Sequence, residues 1–221
     1  MMSLARMVGI NVPAIGLIDV RSIGNLPDGI EKIGQQAFLI ERFDRNDDDS
    51  VTHIEDFAQV FNVYPEDKYK RASYRNLRSV IVSESDQDDV AEFIRRLTFN
   101  VLIGNGDMHL KNWSLIYPDR RNARLAPAYD FVSTIPYIAS DKSALTFSRT
   151  KEFAEFTLDE LAHLSAKVHL PKKLLLDTAK ETVELSMDRW ETEKANLPKH
   201  QDVVGTIDTH LTTLPIVTGK E

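Results

Sequence analysis

The sequence predicts a mainly helical fold with a small β part at its front, an α+β chain. Three observations predict it. Two β-rich runs, 12–20 (VPAIGLIDV) and 35–43 (QQAFLIERF), flank a turn cluster near the N-terminus. Residues 86–104 (DQDDVAEFIRRLTFNVLIG) carry Val90, Phe93, Ile94, Leu97 and Val101 at helical spacing. From 157 to 212 the apolar pattern is helical throughout.

In chain order, residues 3–9 (SLARMVG) read as the last turns of a helix stopped by Gly9. The two β-rich runs form one hairpin, with Gly24, Asn25, Pro27, Asp28 and Gly29 in the turn. DRNDDDS (44–50) is a solvated loop. THIEDFAQVF (52–61) predicts a helix: Thr52 stands as N-cap, Glu55 follows at capping-box spacing, and Phe57, Val60 and Phe61 share a face. YRNLRSVIVSES (74–85) predicts another helix. The run at 86–104 opens with acids, which suit a helix N-terminus. WSLIY (113–117) and ARLAPAYD (123–130) around PDRRN predict a short hairpin. Behind them lie TLDELAHLSAKVHL, PKKLLLDTAKETVELSMDRWETEKANL and DVVGTIDTHLTTL, with Pro171 in a tolerant first helical turn. The sequence has no repeat and no low-complexity tract.

Composition limits the function classes. With 42% hydrophobic and 28% charged residues over 221 positions, the chain is ordinary globular material for about one domain. A net charge of -7 argues against a broad nucleic-acid footprint, because phosphates want a basic face. The absence of cysteine excludes disulfides, a thiolate nucleophile and a Cys-type zinc site. It fits a reducing cytoplasm, which is the expected location. MMSLARMVGI is too short for a signal-peptide core, and no apolar run approaches membrane-spanning length, so no membrane partner is expected.

The chemistry concentrates in FNVLIGNGDMHLKNWSLIY, Phe99–Tyr117. Asn105-Gly106 is a turn pair, so residues 104–112 form a loop between a long helix and a hairpin. Side chains on a loop held by rigid elements are well placed for catalysis. Asp107 and Asn112 stand five positions apart, and Asp130 ends the second hairpin strand, which returns toward the same loop. Phosphoryl transfer asks for such a set. One carboxylate accepts the nucleophile's proton, while an Asn and an Asp offer hard oxygens to Mg²⁺. His109 and Lys111 add positive charge beside the transferring group. An Asn-Gly-Asp cluster is more often a plain turn; its place between helix and hairpin favours the site. His53, His163, His169, His200 and His210 have no metal-ligand spacing, with His200 and His210 in polar settings.

GNGDMHLKNWSL followed by LAPAYDFVST resembles the C-terminal kinase domain of HipA-type toxins, serine/threonine kinases of bacterial toxin–antitoxin modules. GINVPA, FLIERFDR, EDFAQ, FNVLIGN and FAEFTLDELAHLSAKVHLP carry the likeness over nearly the whole chain. The resemblance implies a protein-kinase-like C-lobe, ATP and Mg²⁺ as cofactors, and a protein substrate, plausible by analogy as an aminoacyl-tRNA synthetase. It implies Asp107 as general base, Asn112 and Asp130 as Mg²⁺ ligands, and His109 near the phosphates. FLIERFDR becomes the last N-lobe strand and hinge, with the Glu41 and Phe43 backbone facing adenine and Asp44 near the ribose; Gln59 stands near the site or in packing. Residues 1–45 are then a remnant of the kinase N-lobe and 46–221 the helical C-lobe. The family's phosphate-covering loop, strand lysine and autophosphorylated serine loop have no counterpart in the chain. The expectation is therefore a truncated or split kinase, or alternatively a non-catalytic module docking a HipB-like antitoxin or an N-lobe-supplying protein. No direct nucleic-acid contact is expected. A weaker likeness reaches phosphoinositide kinases, which also place His two residues after the catalytic Asp. A lipid substrate wants a basic patch, and Arg95-Arg96 and Arg120-Arg121 read as solvated faces instead.

Overall fold

The computed structural model describes residues 1–165, 172–197 and 202–219. His169, Pro171 and His200 lie outside the described residues. The α+β class holds. Helix α1 (Met2–Met7) ends where Gly9 takes φ +82°, a left-handed stop that glycine adopts without a Cβ clash. Met2, Leu4 and Ala5 are buried, and α1 packs against the long C-terminal helix. Strands β1 (Ile15–Asp19) and β2 (Gln36–Ile40) form the expected antiparallel hairpin, Leu17 facing Phe38.

The helix expected at 52–61 forms only in its second half, and the first half is a strand. β3 (His53–Asp56) pairs antiparallel with β4 (Ser114–Tyr117), which pairs with β5 (Arg124–Leu125). The capping box exists, shifted four residues: Asp56 Oδ1 accepts from Gln59 N at 2.8 Å and Gln59 Oε1 accepts from Asp56 N at 2.9 Å. It starts only the single turn α2 (Phe57–Val60). Glu55 instead accepts the Tyr117 hydroxyl at 2.8 Å. The strand wins because β4 offers ladder bonds to His53–Asp56 that helix propensity does not match over so few residues. Gln59 is exposed and serves this cap.

Helices α3 (Tyr74–Glu84) and α4 (Gln87–Leu102) follow as expected. Asp86 caps α4, its Oδ1 accepting from Asp88 N at 3.0 Å and Asp89 N at 3.1 Å. Replacing Asp86 with Ala should cost about 1 kcal/mol, read as a shift in the urea midpoint. Behind lie α5 (Leu158–Ser165), α6 (Lys172–Glu193), α7 (Val203–Thr213) and a terminal turn α8 (Pro215–Thr218). α4 is the central helix: it packs on α6, α3 and α7. The core between these elements holds an aromatic chain, Tyr74 against Phe93, Trp113 and Phe147, with Phe147 against Phe156. No described helix is long and apolar enough to cross a membrane.

Two readings of charged residues need correction. Arg96 is not a solvated face: it is 3% exposed, its Nη1 donating to the Ala126 carbonyl at 2.8 Å and its Nε to Glu92 at 2.8 Å. Arg95 is paired with Glu92 and Glu181. His210 is not simply polar in setting. Its ring stands edge-on to Phe153, and its Nε2 lies 2.7 Å from the Val101 carbonyl, so Nε2 carries the hydrogen. Burial lowers the His210 pKa, with the Val101 bond opposing. The unfolded chain therefore binds this proton more readily than the folded one. The folded state should lose stability as pH falls from about 6.5 through the lower folded value. Urea midpoints at pH 7.5 and 5.5 check it: the acid-side drop should shrink in His210→Asn.

Candidate active site

The candidate loop is assembled at the C-terminus of α4. Gly104 (φ +62°) turns the chain out of the helix. Its carbonyl accepts from Thr134 N at 3.0 Å. Asn105 is 1% exposed, which a surface turn residue would not be. Its Nδ2 donates to Asn100 Oδ1 at 2.8 Å, and its Oδ1 accepts from Asp107 N at 3.0 Å. Gly106 N donates to Thr134 Oγ1 at 2.8 Å, and that hydroxyl also contacts Asp141. On the far side, the Tyr74 hydroxyl donates to the Met108 carbonyl at 2.9 Å. The loop backbone is thus held by α4, by α3 and by the 130–141 segment.

The candidate side chains stand on this frame. Asn112 Nδ2 donates to the Asp107 carbonyl at 2.9 Å, which leaves Asn112 Oδ1 for another partner. Asp107 is half-exposed and accepts the Tyr69 hydroxyl on Oδ1 at 2.5 Å. His109 is buried, with Nε2 3.8 Å from Asp107 Oδ1 and 2.6 Å from Lys68 Nζ. Burial, and then the Lys68 ammonium, hold His109 below its ordinary pKa, while Asp107 and Asp130 pull the other way. Lys111 is exposed; its carbonyl accepts from the Tyr129 hydroxyl at 3.0 Å. Tyr129 precedes Asp130, so this bond ties the second arm to the loop. Deeper in, the Phe99 ring of α4 meets Phe131 at 5.2 Å. Asp130 itself is exposed with φ +61°, a left-handed conformation that is strained for a non-glycine residue and clusters at functional sites.

Asp130 lines a cleft of about 630 Å³ walled mainly by apolar residues: Ile15, Leu17, Phe38 and Ile40 of the hairpin, and Tyr129 and Phe131 opposite. The other residues expected at the nucleotide stand differently. Phe43 reaches the cleft through Tyr129, on which its ring stacks at 5.9 Å. Glu41 N already donates to the Ala14 carbonyl at 2.9 Å. Asp44 is buried, its carboxylate held by Arg42 at 2.5 Å and Arg45 at 2.7 Å, and those guanidinium groups keep its pKa below the usual range. Lys68, Tyr69, Asn105 and Thr134 were missed by sequence reasoning. The first two come from the 62–72 connection and carry no local signal; the buried Asn105 hides inside an ordinary Asn-Gly pair.

A family model described as the HipA-like C-terminal domain matches residues 1–190. Y4dM of Sinorhizobium fredii, which bears the provisional name of kinase, is 55% identical over 217 residues, covering 98% of this chain and 53% of that protein. A provisionally named kinase of Haemophilus influenzae is 26% identical over 200 residues, 79% of this chain and 56% of its own. The chain thus spans about half the length of these curated relatives. Among solved structures, HipA of Shewanella oneidensis, crystallised with HipB and operator DNA, superposes with TM-score 0.75 at 20% identity, over 98% of this chain and 52% of that one. The proinflammatory kinase CtkA of Helicobacter pylori superposes with TM-score 0.53 at 12% identity, over 98% and 82%. At those identities the likeness is one of fold.

Proposed function

The chain belongs to the HipA-like C-terminal domain family, and from that premise we propose that it is the C-lobe part of an ATP- and Mg²⁺-dependent serine/threonine protein kinase of a HipA-type toxin–antitoxin module. The observation that carries this reading is the tie between the two arms of the site. The Tyr129 hydroxyl donates to the Lys111 carbonyl, which ties the residue before Asp130 to the loop that carries Asp107 and Asn112 and supports this reading.

The residues present fit the cofactor. The cleft has apolar walls for a base and the Asp130 carboxylate at its margin. Asn112 Oδ1 and Asp130 are hard oxygen donors. Among the described residues no group of three His, Cys, Asp or Glu forms an all-protein cage. Mg²⁺ does not need one, since it is usually held by one or two carboxylates together with phosphates and water. Bound there, ATP·Mg²⁺ supplies the phosphoryl group and neutralises its charge. Asp107 would accept the proton of the acceptor hydroxyl, and Asn112 and Asp130 would hold the metal. His109 stays neutral beside Asp107, and Lys111 adds charge at the loop's outer edge. Glu41, Phe43 and Asp44 shape the hinge side: Phe43 buttresses Tyr129, and the Asp44 ion pairs fix the turn after β2. Residues 1–45 would be the N-lobe remnant, with the hairpin walling the cleft. The acceptor is a protein, by family analogy an aminoacyl-tRNA synthetase.

One observation favours a second reading. On the hairpin, Leu17, Phe38 and Leu39 are each more than half exposed. Leu17 and Phe38 pair on one face of the hairpin, and exposed apolar surface of this kind marks protein contacts. In that reading the chain is a non-catalytic module docking a HipB-like antitoxin or a partner that supplies the rest of the N-lobe. The net charge of -7 leaves DNA contact to such a partner. Transfer from [γ-³²P]ATP, measured with and without co-expressed upstream protein, separates the two. Mg²⁺-dependent label on serine or threonine sinks the binding-module reading. No nucleotide binding under either condition sinks the kinase reading.

A further inference from the structure

We propose that Lys68 and Tyr69 are positioning residues of the catalytic loop: Tyr69 fixes the Asp107 carboxylate and Lys68 fixes the His109 ring. That Asp107 is the base rests on the kinase reading; the geometry stands without it.

The two residues lie on the 62–72 connection between α2 and α3, which has one short 3₁₀ turn, Pro65–Asp67. Such a segment should be loose, yet it is pinned across the loop. Tyr69 Oη donates to Asp107 Oδ1 at 2.5 Å, and its ring stands edge-on to His109 with centroids 5.1 Å apart. Lys68 Nζ lies 2.6 Å from His109 Nε2. From the opposite side Lys151 Nζ donates to the Tyr69 carbonyl at 3.3 Å and the Ala144 carbonyl at 2.7 Å. Arg71 Nε donates to Asp67 at 3.0 Å within the segment.

The division of labour follows from what each contact holds. The Asp107 backbone is fixed from within the loop, by Asn105, His109 and Asn112. Its carboxylate is not: among the described residues, Tyr69 donates the only hydrogen bond that reaches it. A phenol pinning one oxygen directs the other, which is the oxygen left for an acceptor hydroxyl. Burial and the Asp107 charge push the Tyr69 pKa well up, so the hydroxyl remains a donor.

Lys68 sets the imidazole. An ammonium has donors and no acceptor, so His109 Nε2 accepts and Nδ1 carries the hydrogen. Lys111 N also approaches Nδ1, at 3.3 Å. A neutral ring cannot accept at both nitrogens, and the shorter, charge-assisted contact decides the tautomer. The ring so fixed is the surface on which Tyr69 stands.

The test uses Tyr69→Phe and Lys68→Met with two independent readouts. The first is transfer from ATP·Mg²⁺ to casein. Tyr69→Phe should lower kcat roughly 10- to 100-fold, with KM for ATP within about threefold, because a misplaced base slows chemistry without weakening nucleotide binding. The second needs no activity. Ring ¹⁵N spectra of the wild type should show the Nδ1–H tautomer at His109, and Lys68→Met should shift the ring to a mixture. Wild-type kcat in Tyr69→Phe, or the Nε2–H tautomer in the wild type, would overturn the proposal. So would phosphate on Tyr69 itself by mass spectrometry, since the phenol would then be an acceptor and not a support. If the wild type transfers nothing even with the co-expressed upstream protein, the kinase reading fails, and the tautomer still decides whether Lys68 sets the ring.

Discussion

Asp107→Asn is expected to reduce phosphoryl transfer about 10²- to 10⁴-fold while leaving ATP affinity nearly unchanged. That is about 3–5 kcal/mol of transition-state stabilisation. The amide keeps the shape of the side chain and can still accept the Tyr69 hydroxyl through its oxygen. The backbone bonds to Asn105, His109 and Asn112 do not involve the side chain, so the loop should stay in place. What is lost is the ability to take a proton from the acceptor hydroxyl. The contrast with Asp130→Asn makes the test specific. Asp130 lines the cleft, so its replacement should weaken Mg²⁺-dependent ATP binding as well as turnover. Single-turnover rates and calorimetric ATP titrations of the two variants separate the roles. If Asp107→Asn retains transfer within about threefold, the base lies elsewhere.

The parts of this architecture legible in the sequence are those where local pattern and tertiary demand agree. α4 could be read from Asp86 to Val101 because its cap, its acidic first turn and its apolar spacing all point one way. The β1–β2 hairpin could be read because alternation and a dense turn cluster coincide. THIED misled because a short segment followed by a true cap looks helical, while the ladder to β4 is sixty residues away in sequence. The site was legible in part for the same reason. Asp107 and Asn112 sit on a loop marked by Gly104 and Asn105-Gly106, whereas Asp130, expected at the end of the second hairpin strand, lies beyond β5, which stops at Leu125 because the ladder to β4 ends there. Lys68 and Tyr69 sit on a connection with no periodicity, and only the folded chain brings them to the loop across 38 to 41 residues. The Asp44 ion pairs were equally invisible: a carboxylate between two arginines in a charged run reads as surface until burial is known.

Gly104→Ala should destabilise the fold by about 2–4 kcal/mol and disable the site with it. Two costs combine. Gly104 has φ +62°, where an L-residue with a Cβ is strained by about 1–2 kcal/mol. The new Cβ would also stand 2.7 Å from Ile135 Cγ1 and 2.8 Å from Ile135 Cγ2, inside any ordinary contact. Those atoms are next to the Ile135 Cβ, and Ile135 is buried, so rotation of one flexible end cannot relieve the clash. Gly106→Ala is the instructive companion. Its Cβ would first meet the Asp141 carboxylate, the movable end of a side chain, at a backbone without the left-handed φ. Its stability cost should be smaller, but Asp141 would leave Thr134, the residue that also holds the Gly104 carbonyl and Gly106 N. Denaturant midpoints should therefore rank Gly104→Ala well below Gly106→Ala, whereas transfer activity should fall in both. Equal midpoints would mean that the 130–141 segment yields to the helix exit. The rigidity that sets Asp107 against Asp130 would then have to come from Tyr129 and Phe131 alone.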